Sequence, residues 1–132
     1  KKKSLFKVDK NIIATGIFYV ILLCFYVLFE KVVINYRPIL IDGVLEPSYP
    51  SSHTLLSMFL CGSAIIYNCM LNNKSSKKIL NVILTLLLVA ILGGRIISGV
   101  HWLSDIFGSI ILSTSLLFYY SYFINKKNVK AS

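Results

Sequence analysis

Four stretches of this 132-residue chain carry no charged residue and no histidine: 11–29, 55–71, 79–94 and 106–125. A helix that crosses a bilayer needs about 20 mostly apolar residues, with a range of about 17–25. Three stretches meet that length directly. The third is the shortest, but it continues past Arg95 through Ile96 and Ile97. The chain therefore predicts an all-α, polytopic membrane bundle of four helices, at about 11–34, 53–71, 79–97 and 102–124. With 56% hydrophobic residues it lies outside the range of ordinary soluble domains, and its length suits a single membrane-embedded domain.

A formal charge of +9 invites a nucleic-acid reading, and the placement of the charges argues against it. Lys1, Lys2, Lys3, Lys7 and Lys10 precede the first helix. Lys74, Lys77 and Lys78 separate the second from the third, and Lys126, Lys127 and Lys130 follow the fourth. If the helices alternate in direction, all of these lie on one side and only Lys31, Arg37 and Arg95 remain for the other. The positive-inside rule then predicts a multi-pass protein of the cell membrane with both termini cytoplasmic. The expected partner is the bilayer, with an anionic-lipid contact at most, and not nucleic acid. Cys24, Cys61 and Cys69 fall within the apolar stretches, are odd in number and lack metal-ligand spacing, so they read as small buried hydrophobes. The first residue is Lys and no signal peptide is recognisable; the chain reads as a fragment that lacks an N-terminal portion. Oligomeric state leaves no trace in the sequence.

The few polar groups that remain gather on the side opposite the lysine clusters. An outer loop at 35–52 carries Pro38, Gly43, Pro47 and Pro50, a turn-forming composition. Pro50-Ser51-Ser52-His53 leads straight into the second helix, where a Ser caps the end and backbone N–H groups point outward. A brief connection at 96–100 joins the third helix to the fourth. Three clusters thus share one face: Lys31 and Arg37-Pro38, then Ser51-Ser52-His53, then Arg95 with His101 and Asp105. Ionisable groups are costly at a membrane, so their concentration marks a functional site. Asp42 and Glu46 read as loop solvation or ion-pair partners, and Trp102 as an interfacial belt residue.

The residue types point to phosphate. Two arginines supply planar forks that match phosphate oxygens, and a helix N-terminus adds N–H donors and a favourable dipole. His101 and Asp105 stand four residues apart and share a helical face. Asp105 is expected to accept the imidazole N–H, fix the tautomer and raise the basicity of His101. Two imidazoles beside cations suit phosphoryl transfer through a phosphohistidine, one attacking as the neutral base and the other releasing the leaving oxygen as the acid.

In order and spacing these residues resemble the type 2 phosphatidic acid phosphatase superfamily. Its signature is Lys, six residues, Arg-Pro; then Pro-Ser-Gly-His; then Ser-Arg, five residues, His, three residues, Asp. Arg37-Pro38 is similar to the end of the first motif, Pro50-Ser51-Ser52-His53 to the second, and Gly94-Arg95 with His101 and Asp105 to the third. The resemblance implies a metal-independent, cofactor-free phosphatase. It implies His101 as nucleophile, Asp105 as its orienting partner and His53 as general acid. Arg37, Ser51, Ser52, Arg95 and Lys31 would bind phosphate. The implied substrate is a membrane lipid phosphate or pyrophosphate, such as phosphatidate, phosphatidylglycerol phosphate or undecaprenyl pyrophosphate, met on the extracytoplasmic face. Family members commonly have six membrane helices, so four imply an N-terminally truncated form of that fold.

Three positions depart from the pattern. Five residues separate Lys31 from Arg37, and Glu30 occupies the register of the family's Lys. A one-residue offset turns a helical side chain by about 100°, so Lys31 reaches phosphate only if its stem bends round. Ser52 replaces Gly and Gly94 replaces Ser. Two rival readings remain at this stage: a catalytically inactive membrane relative, and a vanadate-dependent haloperoxidase-like oxidoreductase with a similar anion pocket.

Overall fold

A computed structural model describes residues 10–70 and 75–129. It contains four helices and, among the described residues, no strand: α1 (Lys10–Lys31), α2 (Ser52–Met70), α3 (Ser75–Ile97) and α4 (Leu103–Val129). All four are long and apolar enough to cross a membrane, α3 included, whose candidate span is Lys77–Ile97. The expected bundle is therefore present.

Several boundaries differ from expectation, and those of α1 and α4 have a local cause. α1 stops at Lys31 instead of continuing to 34. The β-branched run Val32-Val33-Ile34 favours extended backbone, and the Asn35 carbonyl that follows accepts the Ser48 N–H at 3.0 Å. α3 begins earlier than expected, at Ser75. α4 begins at Leu103 because Trp102 caps it: the Asp105 carboxylate reaches back to the Trp102 N–H at 3.0 Å, while the Asp105 N–H donates to the Trp102 carbonyl at 3.0 Å. This is one half of a capping box, with Asp in the Glu position; Trp102 offers its backbone carbonyl in place of a side-chain acceptor. Leu71, placed at the end of the second helix by its sequence, lies outside the described residues.

The core is built by three helices. Phe18 and Leu22 of α1, Leu55 and Phe59 of α2, and Leu116, Tyr120 and Ile124 of α4 form one buried cluster. Tyr120 meets Phe18 edge-on at 5.5 Å and Phe59 at 6.1 Å between ring centroids. Its hydroxyl pairs with the Thr15 hydroxyl at 3.0 Å, which removes the penalty of burying it. α3 contributes nothing to this cluster and rests mainly on α2.

The closest seam runs between α2 and α4, where small residues let two backbones approach. The Ser109 hydroxyl donates to the Ser51 carbonyl at 2.9 Å, and the Ser113 hydroxyl to the Leu55 carbonyl at 3.0 Å. At Gly62 a Cβ would sit 2.5 Å from Leu117 Cδ1, so a larger residue there would need the Leu117 side chain to shift. Without a hydrophobic force between helices in lipid, such contacts carry helix association. They also lock the first turn of α2 against the first turn of α4, which places the two histidine-bearing segments side by side. Of the cysteines only Cys61 is buried; Cys24 and Cys69 lie on exposed faces, against the expectation that all three would be covered.

Candidate active site

The segment joining α1 to α2 folds back over the bundle. Tyr36 and Pro47 form an isolated antiparallel bridge, and so do Ile41 and Val44 at the tip. Asp42 and Gly43 turn that tip with φ of 48° and 78°, a conformation that Asp tolerates and Gly prefers. Hydrogen bonds from both of its ends hold the loop to the start of α4. The Trp102 indole N–H donates to the Tyr36 carbonyl at 2.8 Å, and the Asn35 amide donates to Asp105 Oδ1 at 2.9 Å.

Beneath the loop lies a cavity of about 310 Å³. Its wall includes Arg37, Glu46, Ser48, Ser52 and His101, with Tyr26, Phe29 and Glu30 of α1 opposite. Arg37, Ser52 and His101 thus meet as expected. Lys31 does not join them: it is exposed, and Glu30 takes its place in the wall. The one-residue offset read from the sequence has the geometric consequence that 100° per residue requires.

His101 is buried and lies in the connection between the candidate spans of α3 and α4. Its Nδ1 is 3.0 Å from the Ser48 carbonyl oxygen and 3.2 Å from the Ser48 hydroxyl. A carbonyl can only accept, so Nδ1 carries the proton. Nε2 of the neutral ring then holds a lone pair, and it is buried with no partner in the protein. Burial holds the His101 pKa below its ordinary value, Arg37 and Arg95 lower it further, and Asp105 and the Ser48 hydrogen bond oppose them without prevailing. Asp105 thus does act to make this imidazole more basic, as expected, but desolvation and two guanidinium charges outweigh one carboxylate.

Asp105 is also placed differently from expectation. Its Oδ2 is 3.6 Å from His101 Nδ1, beyond hydrogen-bonding distance. The carboxylate is fully buried and accepts from the Ser48 hydroxyl, the Asn35 amide, the Trp102 N–H and, at 3.4 Å, the Ser104 hydroxyl. Four donors offset the cost of burying the charge. Ser48 is the residue the sequence reading missed. It sits among unremarkable loop residues, and its only signal is its place two residues before Pro50, at the entry to the second motif.

The other expected residues divide. Arg37 pairs with Glu46, Nη2 to Oε2 at 3.1 Å, as the ion-pair reading of Glu46 anticipated, and its Nε is buried without a partner. Arg95, in the last turn of α3 where a cation complements the helix dipole, likewise has a buried, unpartnered Nε. It is not part of the cavity wall, but its charge acts on both His53 and His101. His53 is exposed in the first turn of α2, within electrostatic reach of Arg37 and Arg95. Ser51 is fully buried. Its N–H donates to the Asp105 carbonyl at 3.3 Å, and its hydroxyl accepts from Thr54 at 3.1 Å. Ser51 is engaged between helices, and Ser52, beside it, is the serine that faces the cavity. Trp102 is half exposed and holds the loop, outside the cavity wall. Among the described residues, no group of three or more His, Cys, Asp or Glu has metal-binding geometry.

Buried polar atoms are normally paired. Here four side-chain atoms are buried and unpaired among the described residues: the Nε atoms of Arg37 and Arg95, His101 Nε2 and Asn35 Oδ1. The first three are donors and a nucleophilic nitrogen suited to an anionic centre, and the fourth is an acceptor. A family model, the PAP2 superfamily, matches residues 12–129. No curated protein and no solved structure matches the chain.

Proposed function

This chain belongs to the PAP2 superfamily, a family of phosphatases, and on that premise we propose that it hydrolyses a lipid phosphate or lipid pyrophosphate through a phosphohistidine on His101. The observation that carries the proposal is the state of His101: Nδ1–H directed at the Ser48 carbonyl, Nε2 bare and buried in the cavity wall, and the ring held neutral.

In the first step the Nε2 lone pair attacks phosphorus, a P–N bond forms and the P–O bond to the leaving group breaks. The departing oxygen takes a proton from His53, which the charge of the arriving phosphate keeps in its cationic form. In the second step His53, now neutral, accepts a proton from water as that water attacks phosphorus, and the P–N bond breaks. General acid–base help of this kind contributes about 10²–10⁴-fold. Arg37 and Arg95 balance the charge on the equatorial oxygens, with Ser52 and the free N–H groups opening α2. These charges supply electrostatic stabilisation from the protein itself, and the family resemblance implies a reaction that needs no metal.

The substrate class follows from the setting. The cavity opens at one end of a bundle whose helices are all apolar enough to cross a membrane, at the end away from Lys77 and Lys78. A headgroup phosphate of a bilayer lipid reaches that depth with its chains still in lipid, and the positive-inside rule assigns that end to the extracytoplasmic side. Phosphate release from a panel of lipid monophosphates and pyrophosphates, in EDTA, tests the proposal. Turnover that His101→Ala abolishes supports it; substantial turnover by His101→Ala removes the nucleophile assignment.

A further inference from the structure

We propose that Ser48 is a positioning residue for the reaction, and that Asp105 acts on His101 through the Ser48 side chain and not by direct contact. The inference rests on the reading of His101 as nucleophile. Its basis is geometric. Ser48 is buried, and its two polar ends divide the work of holding the ring. The backbone carbonyl takes the Nδ1 proton at 3.0 Å, which fixes the tautomer. The hydroxyl lies 3.2 Å from Nδ1 on one side and donates to Asp105 Oδ2 on the other.

A hydroxyl has a single proton. Because Ser48 commits it to the carboxylate, the hydroxyl oxygen presents a lone pair to Nδ1–H, which is shared between that oxygen and the carbonyl. The carboxylate, 3.6 Å from Nδ1, makes no hydrogen bond to the ring. It anchors the serine, and the serine anchors the imidazole. Asp105 is itself fixed by Asn35 at 2.9 Å and by the Trp102 N–H at 3.0 Å, so the chain of contacts runs from the α4 cap to the reacting nitrogen. A supporting shell of this kind determines whether a catalytic group is held within a fraction of an ångström of its productive position. A displacement of about 1 Å costs about 10²-fold in rate.

Ser48 also sets the charge balance at the ring. The charges that act on His101 are Arg37 from the loop, Arg95 from α3 and Asp105 from α4; Glu46 is paired to Arg37, and Glu30 of α1 faces the same cavity. While Ser48 occupies Oδ2, the carboxylate's attraction for an imidazolium is partly spent on the hydroxyl. Ser48→Ala frees Oδ2 and lets the carboxylate turn to Nδ1 directly. The imidazolium is then better stabilised, and the nucleophile becomes protonated at higher pH.

The test is a double-variant cycle with Ser48→Ala, Asp105→Asn and their combination in the full chain, measured as kcat, KM and the pH profile of kcat/KM. His101→Ala runs in parallel. The expected result is a fall in kcat of about 10²-fold for Ser48→Ala, an unchanged KM, and an acidic limb moved to higher pH. Asp105→Asn is expected to cost much less on top of Ser48→Ala than alone, the non-additivity of residues acting as a unit. Ser48→Cys, with a weaker donor in the same place, is expected to fall between wild type and Ser48→Ala, and it decides the matter if Ser48→Ala fails to fold. Additive losses, or an unmoved acidic limb, overturn the inference while leaving His101 as nucleophile. An active His101→Ala overturns the reading on which it rests.

Discussion

Gly108→Ala is expected to impair catalysis more than stability, and the structure gives the reason atom by atom. Gly108 lies in the first half of α4, facing the Tyr49 ring. A Cβ there would stand 2.6 Å from Tyr49 Cζ and 2.5 Å from its hydroxyl oxygen, where carbon contacts settle at about 3.5–4.0 Å. The ring must therefore move by about 1 Å. It is confined on its other side by Phe29, edge-on at 5.7 Å between centroids, and it forms part of the cavity wall. Overpacking of this kind costs about 1–3 kcal/mol. Replacing a helical Gly by Ala returns about 1 kcal/mol, so the net loss of stability is about 0–2 kcal/mol.

The catalytic effect is larger because Tyr49 adjoins Ser48, whose carbonyl holds His101. With part of the ring's shift passed to that carbonyl, kcat is expected to fall by about 10- to 100-fold. Phosphate release from lipid substrate in detergent micelles measures it, alongside thermal unfolding of the same sample. Gly16→Ala is the control: nothing lies within 4 Å of its added Cβ. Wild-type kcat and KM in Gly108→Ala would refute the claim that the Tyr49 ring sets the position of the site.

Three further outcomes follow from the geometry. Glu46→Gln releases Arg37 from a partly exposed ion pair of 3.1 Å; such pairs are worth about 0.2–1 kcal/mol, so KM should fall by at most about fivefold, and a rise in KM would contradict the role of Arg37. The acidic limb of kcat/KM should lie below pH 6.5, the ordinary imidazole value, because a lowered His101 pKa keeps the nucleophile neutral into more acidic solution; a limb above that value would place the titrating group elsewhere. Lys31→Ala should leave KM within about twofold, as for a surface side chain, while Arg37→Ala should raise it by at least about 30-fold, as for a buried charge contact; equal effects would restore Lys31 to the phosphate site.

The fold was legible because helices in lipid announce themselves by uncharged length. Arg37, Ser52 and His101 were legible as candidate site residues because few polar groups survive in an apolar chain, and those three line one cavity. Helical arithmetic gave both sides of the Lys31 question, and the cavity wall contains Glu30 and not Lys31. Ser48 was hidden because its part depends on a loop crossing back to α4 from 53 residues earlier in the chain, a placement no local pattern encodes. Asp105 was legible as the partner of His101 by its i+4 spacing, yet spacing fixes only a shared face. Whether the carboxylate touches the ring depends on what else competes for it, here Asn35, Ser48 and the Trp102 N–H. The net direction of the His101 pKa was not legible for a similar reason: sequence shows the neighbouring carboxylate, which does raise it, and conceals the burial that outweighs it.

The claim at the centre of this account is that His101 Nε2 forms a bond to phosphorus. A rapid quench of the full-length protein with a lipid substrate labelled in its phosphate tests it directly. The account predicts a base-stable, acid-labile phosphoryl group on the peptide containing His101, formed in EDTA and lost in His101→Ala. Label on His53 with His101 unmodified, or turnover in His101→Ala, would contradict it.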